Sequence, residues 1–427
     1  MFRSGKLLLA LLPFFLIPLG VLSQELAPYS RFGLGQTDNS VFSAQKGIGG
    51  LAAAHRDPFH INFMNPASYS GLSLATLETG ISFTTKNIED GQTGKTYRAG
   101  DAFFDYLAFG FPAGKRGGVS FGMIPYSEMN YDFEQTTVYN LGSAKKLYQG
   151  SGRIYQMYAG GSYRFPKIDT ASHSLSIGMN FVYLFGNLDR KDILQFSPQE
   201  FYNARVTSSA RMSNAALNLG FQYKRNLNKK IYGLVGAYSY FPVAVNSTQE
   251  ESWVRYTRLT SGTFTIDTVY QKYEDLPDMK IPVETGAGVT FGEQGRWMAG
   301  VEFKYKLWSQ VESFSSDAVM EDSWEMRAGT ELRPDASPNS GLFKRMIYRL
   351  GGFYDKGYLN IDGTTISEYG ATFGFAIPLK TSFARLNFSF DVGNRGTTTN
   401  ELIKETFFRT NIGFTFNDKW FTKPKYD

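Results

Sequence analysis

Most of this chain is written in a two-residue period sustained far beyond the length of an ordinary strand. Between 382 and 393, Ala384, Leu386, Phe388, Phe390 and Val392 alternate with Arg385, Asn387, Ser389 and Asp391. In 297–307, Ala299, Val301, Phe303, Tyr305 and Leu307 oppose Gly300, Glu302, Lys304 and Lys306. In 323–333, Trp324, Met326, Ala328, Thr330 and Leu332 oppose Glu325, Arg327, Gly329, Glu331 and Arg333, and 217–224 repeats the pattern. Successive side chains of a strand point to opposite faces, so each segment has one apolar and one polar surface. A soluble sandwich strand alternates too, but averages about five or six residues. These segments run about 10–15, matching the roughly 9–11 residues that a tilted strand needs to cross a bilayer.

The pattern predicts fourteen strands near 74–86, 102–113, 117–133, 152–165, 173–187, 205–225, 230–246, 282–292, 296–309, 323–333, 344–355, 365–378, 382–393 and 406–417. Short links such as 114–116, 226–228, 293–295 and 379–381 mostly alternate with long ones, such as 134–151, 188–204 and 247–281. Membrane barrels have short periplasmic turns and longer extracellular loops. The expected fold is therefore all-β: a transmembrane antiparallel β-barrel of about fourteen strands. Within 247–281, two short alternating stretches read as an extracellular hairpin, the alternative being two further membrane strands. Trp297 and Trp308 bracket one strand at a spacing of about 28 Å, near the expected separation of the aromatic girdles. Their parity puts them on opposite faces unless a bulge intervenes, so Tyr305 and Leu307 are alternative rim residues. The final strand pairs Phe408, Thr410, Ile412, Phe414 and Phe416 against Arg409, Asn411, Gly413, Thr415 and Asn417. A closed barrel must pair it with the first strand, because an open edge in lipid leaves backbone groups unsatisfied.

The ends fit export to an outer membrane. Residues 1–23 read as a signal peptide: Arg3 and Lys6, an apolar run from Leu7 to Leu22, then Val21 and Ser23 at the −3 and −1 positions of a cleavage site. Barrel residues extend over 73–421, and 422–427 form a polar tail. The chain has no Cys, which excludes disulfides, thiolate metal sites and a Cys nucleophile. Without Arg3 and Lys6 the 44 basic residues become 42 against 39 acidic ones, a balance that gives no reason to expect nucleic acid or another polyanion. Of the three His, His55 and His60 lie near Asp57 and read as hydrogen-bonded interior residues rather than metal ligands. Gly47 to Gly50 is not followed by the Lys-Ser/Thr of a phosphate loop, and no nucleophile motif is present, so neither a cofactor nor an enzyme activity is expected.

Residues 24–72 lack long alternation and are rich in Gly, Ala and Ser. Small residues let a backbone pass closely among lumen side chains, so this segment reads as a plug. The stretch Gly49-Gly50-Leu51-Ala52, then Asp57, then Asn65-Pro66-Ala67 before the first strand, resembles the FadL-type family of outer-membrane long-chain fatty-acid transporters. Ala27 to Gly33 looks like the start of mature Bacteroidetes barrels. The resemblance implies a hatch inside a fourteen-stranded barrel and passive uptake of a hydrophobic small molecule that leaves sideways through the wall. Gly49, Gly50, Asp57, Asn65, Pro66 and Ala67 would be its hatch motif. Some FadL-type barrels are instead subunits of larger outer-membrane machines, such as the PorV component of type IX secretion, which makes outer-membrane proteins the alternative partners. The polar faces predict a charged lumen at Glu302, Lys304, Lys306, Glu325, Arg327, Glu331, Arg385, Asp391 and Arg409, with oppositely charged neighbours pairing across strands. The opposite face would meet outer-membrane lipid.

Overall fold

A computed structural model describes residues 27–139, 142–166, 172–197, 202–259, 262–275, 280–311, 319–335, 337, 339–379 and 383–419. The segments read as the signal peptide and the polar tail lie outside these residues. In chain order the strands are β1 (Gln36–Thr37), β2 (Ala75–Asp90), β3 (Thr96–Ala113), β4 (Gly117–Tyr139), β5 (Gly142–Arg164), β6 (His173–Ser197) and β7 (Asn203–Asn226). They continue with β8 (Ile231–Ala244), β9 (Ser247–Leu259), β10 (Gly262–Asp275), β11 (Val283–Glu293), β12 (Trp297–Leu307), β13 (Val319–Met320) and β14 (Ser323–Leu332). The last are β15 (Ile347–Asp355), β16 (Leu359–Ile361), β17 (Thr364–Thr365), β18 (Glu368–Pro378), β19 (Arg385–Gly396) and β20 (Ile403–Asp418).

Fourteen of these, β2 to β8, β11, β12, β14, β15 and β18 to β20, form an antiparallel barrel. Closure is made by β2 and β20, which pair from Ala75↔Asp418 to Asp90↔Ile403. The apolar face points outward: Ile81, Phe83, Phe121, Met179, Phe181, Val301, Phe303, Leu350, Phe373, Val392 and Phe408 are exposed. The polar partners are buried in the lumen, among them Asn180, Asn218, Glu302, Lys304, Asn387 and Ser389. This is the reverse of a soluble core, and lipid is the solvent that stabilises it.

Three expectations need correction. Segments 134–151 and 188–204 are mostly strand rather than loop, because the β4–β5 and β5–β6 ladders continue past the apolar band as far as Tyr139↔Gly142 and Ser143↔Ser197. Outside lipid neither face needs to be apolar, so the alternation that marks a membrane strand fades while the ladder continues. Trp308 is not a rim residue: it is buried and stacks on Tyr358 with ring centroids 3.9 Å apart, whereas Trp297 and Tyr305 are exposed on the outer face. Residues 342–345 are a helical turn, so the strand begins at Ile347.

The segment 247–281 forms a hairpin above the barrel. β9 continues the line of β8 and pairs with the upper part of β7, from Asn203↔Tyr256 to Met212↔Ser247, while β10 pairs back on β9. Below it β8 pairs with β11 and keeps the barrel at fourteen strands. One side of the barrel thus carries a tall wall of β4, β5, β6, β7, β9 and β10. On the other side β13, β16 and β17 form a small separate sheet near the lumen mouth.

Candidate functional site

The interior is occupied by residues 27–72, most of them buried. Their backbone lies directly on the wall where the strands carry inward-facing glycine. A Cβ at Gly236 would run into the Ala53 carbonyl, and one at Gly329 into that of Ile48. The wall is therefore cut to fit this segment. Gly49 and Gly50 have φ of +74° and +79°, a region that side chains disfavour, and a Cβ on Gly50 would overlap the Arg327 guanidinium.

Polar wall residues hold the segment in place. Both Ala52 and Ala53 donate backbone N–H bonds to Glu302 Oε2, at 2.6 and 2.7 Å. Arg327 donates to the Gly49 carbonyl at 2.9 Å, and its Nε bonds Glu325 at 2.7 Å. Thr372 accepts from Gly49 N–H at 2.9 Å. Asn65 caps the 3-10 helix Pro66–Gly71: its Oδ1 accepts from Ala67 N–H at 3.1 Å and its Nδ2 donates to the Ala53 carbonyl at 2.6 Å. Asp57 accepts from Phe59 N–H at 2.7 Å and lies 3.9 Å from Arg385, whose guanidinium sits over the Phe59 ring. Burial alone would raise the Asp57 carboxyl, but His60 and Arg385 overcome it and hold it at about 2. Burial is the main cause pushing His55 below 6.5.

The other charged lumen positions pair among themselves. Lys306 lies 3.4 Å from Glu284, Arg409 bonds Glu368 at 2.9 Å and Glu331 accepts from Arg349 at 2.8 Å. Lys304 is fully buried 3.8 Å from Glu325, with no hydrogen bond to its Nζ. Asp391 is buried opposite Arg409 in the β19–β20 register.

Sequence reading missed the amide row and the seam. Asn180 and Asn218 both donate to the Phe63 carbonyl, and Gln222 to those of Ala53 and His55. These amides alternate on the polar face like any lumen residue, so only the presence of an interior chain distinguishes them. The seam lies between β3 and β4. These strands pair only from Leu107↔Met123 to Ala113↔Gly117. Immediately above, β3 bulges against β2 between Gly80 and Ile81, and both Asp105 and Tyr106 turn inward. β4 has Pro125 there and a register shift of its own. Its freed edge is taken up by the interior segment: Gln36 and Thr37 pair with Glu128 and Ser127, Asp38 N–H donates to the Tyr126 carbonyl and Ala27 N–H to that of Asn130. Lys46 bonds the bulged Asp105 at 2.7 Å. Side chains also bridge the split. Arg153 of β5 is paired with Glu128, lies 3.7 Å from Asp101, and sets its guanidinium 4.6 Å from the centre of the Phe103 ring.

A cavity of about 150 Å³ connects this seam to the lumen, with Phe103, Glu128 and Arg153 at one end and Lys46, Arg327 and Asp391 deeper in. Its lining carries seven cationic and six anionic side chains. It is below the roughly 300–1,000 Å³ typical of ligand pockets. A ligand would have to displace part of the interior segment.

The sequence matches the BamG family model over residues 5–427. No curated protein sequence is similar enough to count as a match. Solved structures share the fold. The toluene transporter TodX of Pseudomonas putida aligns with a TM-score of 0.59 at 12% identity, covering 90% of this chain and 99% of that one. The CymD monoaromatic hydrocarbon channel gives 0.55 at 13%, covering 89% and 98%. A Pseudomonas aeruginosa FadL homologue gives 0.56 at 10%, covering 90% and 99%.

Proposed function

The chain belongs to the BamG family, and we propose that it acts as an outer-membrane channel that passes small molecules with an apolar body sideways through the β3–β4 seam. The observation that carries this reading is the split ladder: β3 and β4 part at Leu107 and Met123, and the interior segment, not the neighbouring strand, holds the free edge of β4. In a lipid-facing wall such a split costs several kcal/mol per unsatisfied group unless something covers it, so in this reading the interior segment is a movable cover and the seam is a gate. The structural neighbours whose names describe toluene transporters and hydrocarbon channels supply the ligand class. The mixed charges around the cavity suit a polar end group on the ligand. In this reading residues 1–23 are removed on export, 24–72 are the hatch, 73–421 the barrel and 422–427 a tail.

The test uses the absence of native Cys. Thr37 and Ser127 face each other in the β1–β4 ladder, so Thr37→Cys with Ser127→Cys places two thiols across it. Oxidation should stop entry of a fluorescent long-chain fatty acid into cells expressing the protein, and reduction should restore it. Entry indifferent to the disulfide, with the Cys-free chain as control, contradicts the gate.

A second reading is favoured by the small, charged cavity: a non-transporting barrel subunit of a larger outer-membrane complex, with the interior segment as a permanent core. Under that reading the oxidised variant still co-purifies with its partners and no fatty acid enters cells by this route in any state.

A further inference from the structure

The opposite mouth of the barrel, at the end of the short turns, contains a second and larger concavity of about 620 Å³. Arg56, Arg164, Lys224, Arg296, Arg333 and Arg385 line it. Against these six cations stand three carboxylates. Asp57 and Glu293 are engaged locally, by Arg385 at 3.9 Å and Arg296 at 3.4 Å, and Glu331 is turned to Arg349 at 2.8 Å. Lys224 donates to Gln294 at 3.3 Å and lies over the Tyr232 ring, but neither it nor Arg333 is in an ion pair among the described residues. His55 also lines the bowl. It is more than nine-tenths buried, and its Nδ1 has no hydrogen-bond partner.

We propose that this periplasmic bowl binds a peptide segment carrying several carboxylates. The cations come from the interior segment, the ends of β5 and β7, the β11–β12 turn, the chain after β14, and β19. A single phosphate cannot span such a ring, whereas a short acidic peptide can meet it at several points. Phe59, Tyr232 and Ile347 supply apolar wall between the charges. Lipid headgroups surround the barrel on its outside and do not face this mouth. An excess of positive charge in a concave, low-dielectric mouth concentrates anions and accelerates their arrival. Closing the seam leaves this bowl unchanged, so the two proposals fail separately.

The experiment is fluorescence anisotropy of labelled hexaglutamate, with hexaglutamine as control, on the full-length protein in nanodiscs. The expected result is binding of hexaglutamate alone, weakening steeply with salt, and at least about ten-fold weaker in the Lys224→Gln/Arg333→Gln variant. Lys145→Gln, which removes an exposed cation from the tall wall, should bind as the unaltered protein does. Equal affinity of the double variant, or no preference over hexaglutamine, overturns the proposal. So does complete displacement by inorganic phosphate at matched ionic strength, which would make the bowl a small-anion site. On the unaltered protein, hexaglutamate should protect Lys224 from acetylation, read by mass spectrometry, and an unprotected Lys224 also overturns it.

Discussion

Phe42 lies flat on Tyr106, their ring centroids 4.2 Å apart and their planes within 12°. One residue belongs to the interior segment and the other to the bulge of β3 where the β3–β4 ladder ends. The Tyr106 hydroxyl accepts from Ser43 N–H at 3.2 Å and donates to Ser43 Oγ at 3.0 Å. Its ring crosses Gly80 and Gly413, the residues beside it on β2 and β20. This contact ties the cover of the seam to the strand that borders it.

Phe42→Ala should therefore loosen both. Removing a buried aromatic side chain costs about 3–5 kcal/mol. Hydrogen–deuterium exchange should show faster exchange at residues 36–46 and 124–130, with the β19–β20 ladder unchanged. Uniform exchange across the barrel would mean that the stack only stabilises the whole fold.

Gly236→Leu should expel the interior chain locally while leaving the wall intact, because its side chain points at the Ala53 carbonyl. Trypsin should then cut after Arg56 in the folded protein, a cut that the parent should resist. The variant should still show the heat-modifiable gel migration of a closed barrel.

Much of the architecture is legible in the sequence because lipid imposes the same rule on every strand. Val301 and Phe408 point outward and Glu302 and Lys304 inward, as a strict period of two requires. The hairpin over 247–281 is readable from two short alternating stretches, Val254 to Arg258 and Phe264 to Tyr270, though alternation alone leaves two further membrane strands open. The seam is not legible. Pro125 and the β3 bulge are local signals, but the partner that replaces the lost ladder, Gln36–Thr37, lies almost ninety residues earlier and has no pattern of its own. Nor can spacing show that Asn180, Asn218 and Gln222 hold the segment's carbonyls, since they sit on the polar face in either case. Trp308 is the contrasting case: its distance from Trp297 suits a girdle, but parity, which is legible, puts it on the opposite face, where it is buried.

Glu302→Ala leaves the Ala52 and Ala53 N–H groups buried without their acceptor and removes one of the carboxylates around Lys304. Breaking a buried charged network of this kind costs about 3–5 kcal/mol. Guanidinium unfolding in detergent should show it as a lower midpoint. A change below about 1 kcal/mol would mean that water replaces the carboxylate.

Acid should loosen the interior segment near His55. The folded site disfavours the protonated ring, chiefly through burial, so the folded pKa lies below the 6.5 of the free side chain. The unfolded segment takes up the proton first. Stability is therefore full above pH 6.5 and declines as pH falls below it. Asp57 adds a loss only at much lower pH, from 3.8 down to about 2. Exchange at residues 52–60, corrected for intrinsic rates, should rise between pH 7.5 and 5.5 in the parent and not in His55→Gln.

The most direct test is the width of the seam itself. Spin labels at Ala102 and Asp132 report the split part of β3 and β4, and labels at Pro112 and Val119 report the paired part. In nanodiscs, electron–electron distance measurements should give a narrow distribution for Pro112–Val119 and a broad one for Ala102–Asp132. The broad distribution should lengthen with added fatty acid and collapse when a Thr37–Ser127 disulfide is closed. Two equally narrow distributions, unchanged by fatty acid, would contradict a gated seam.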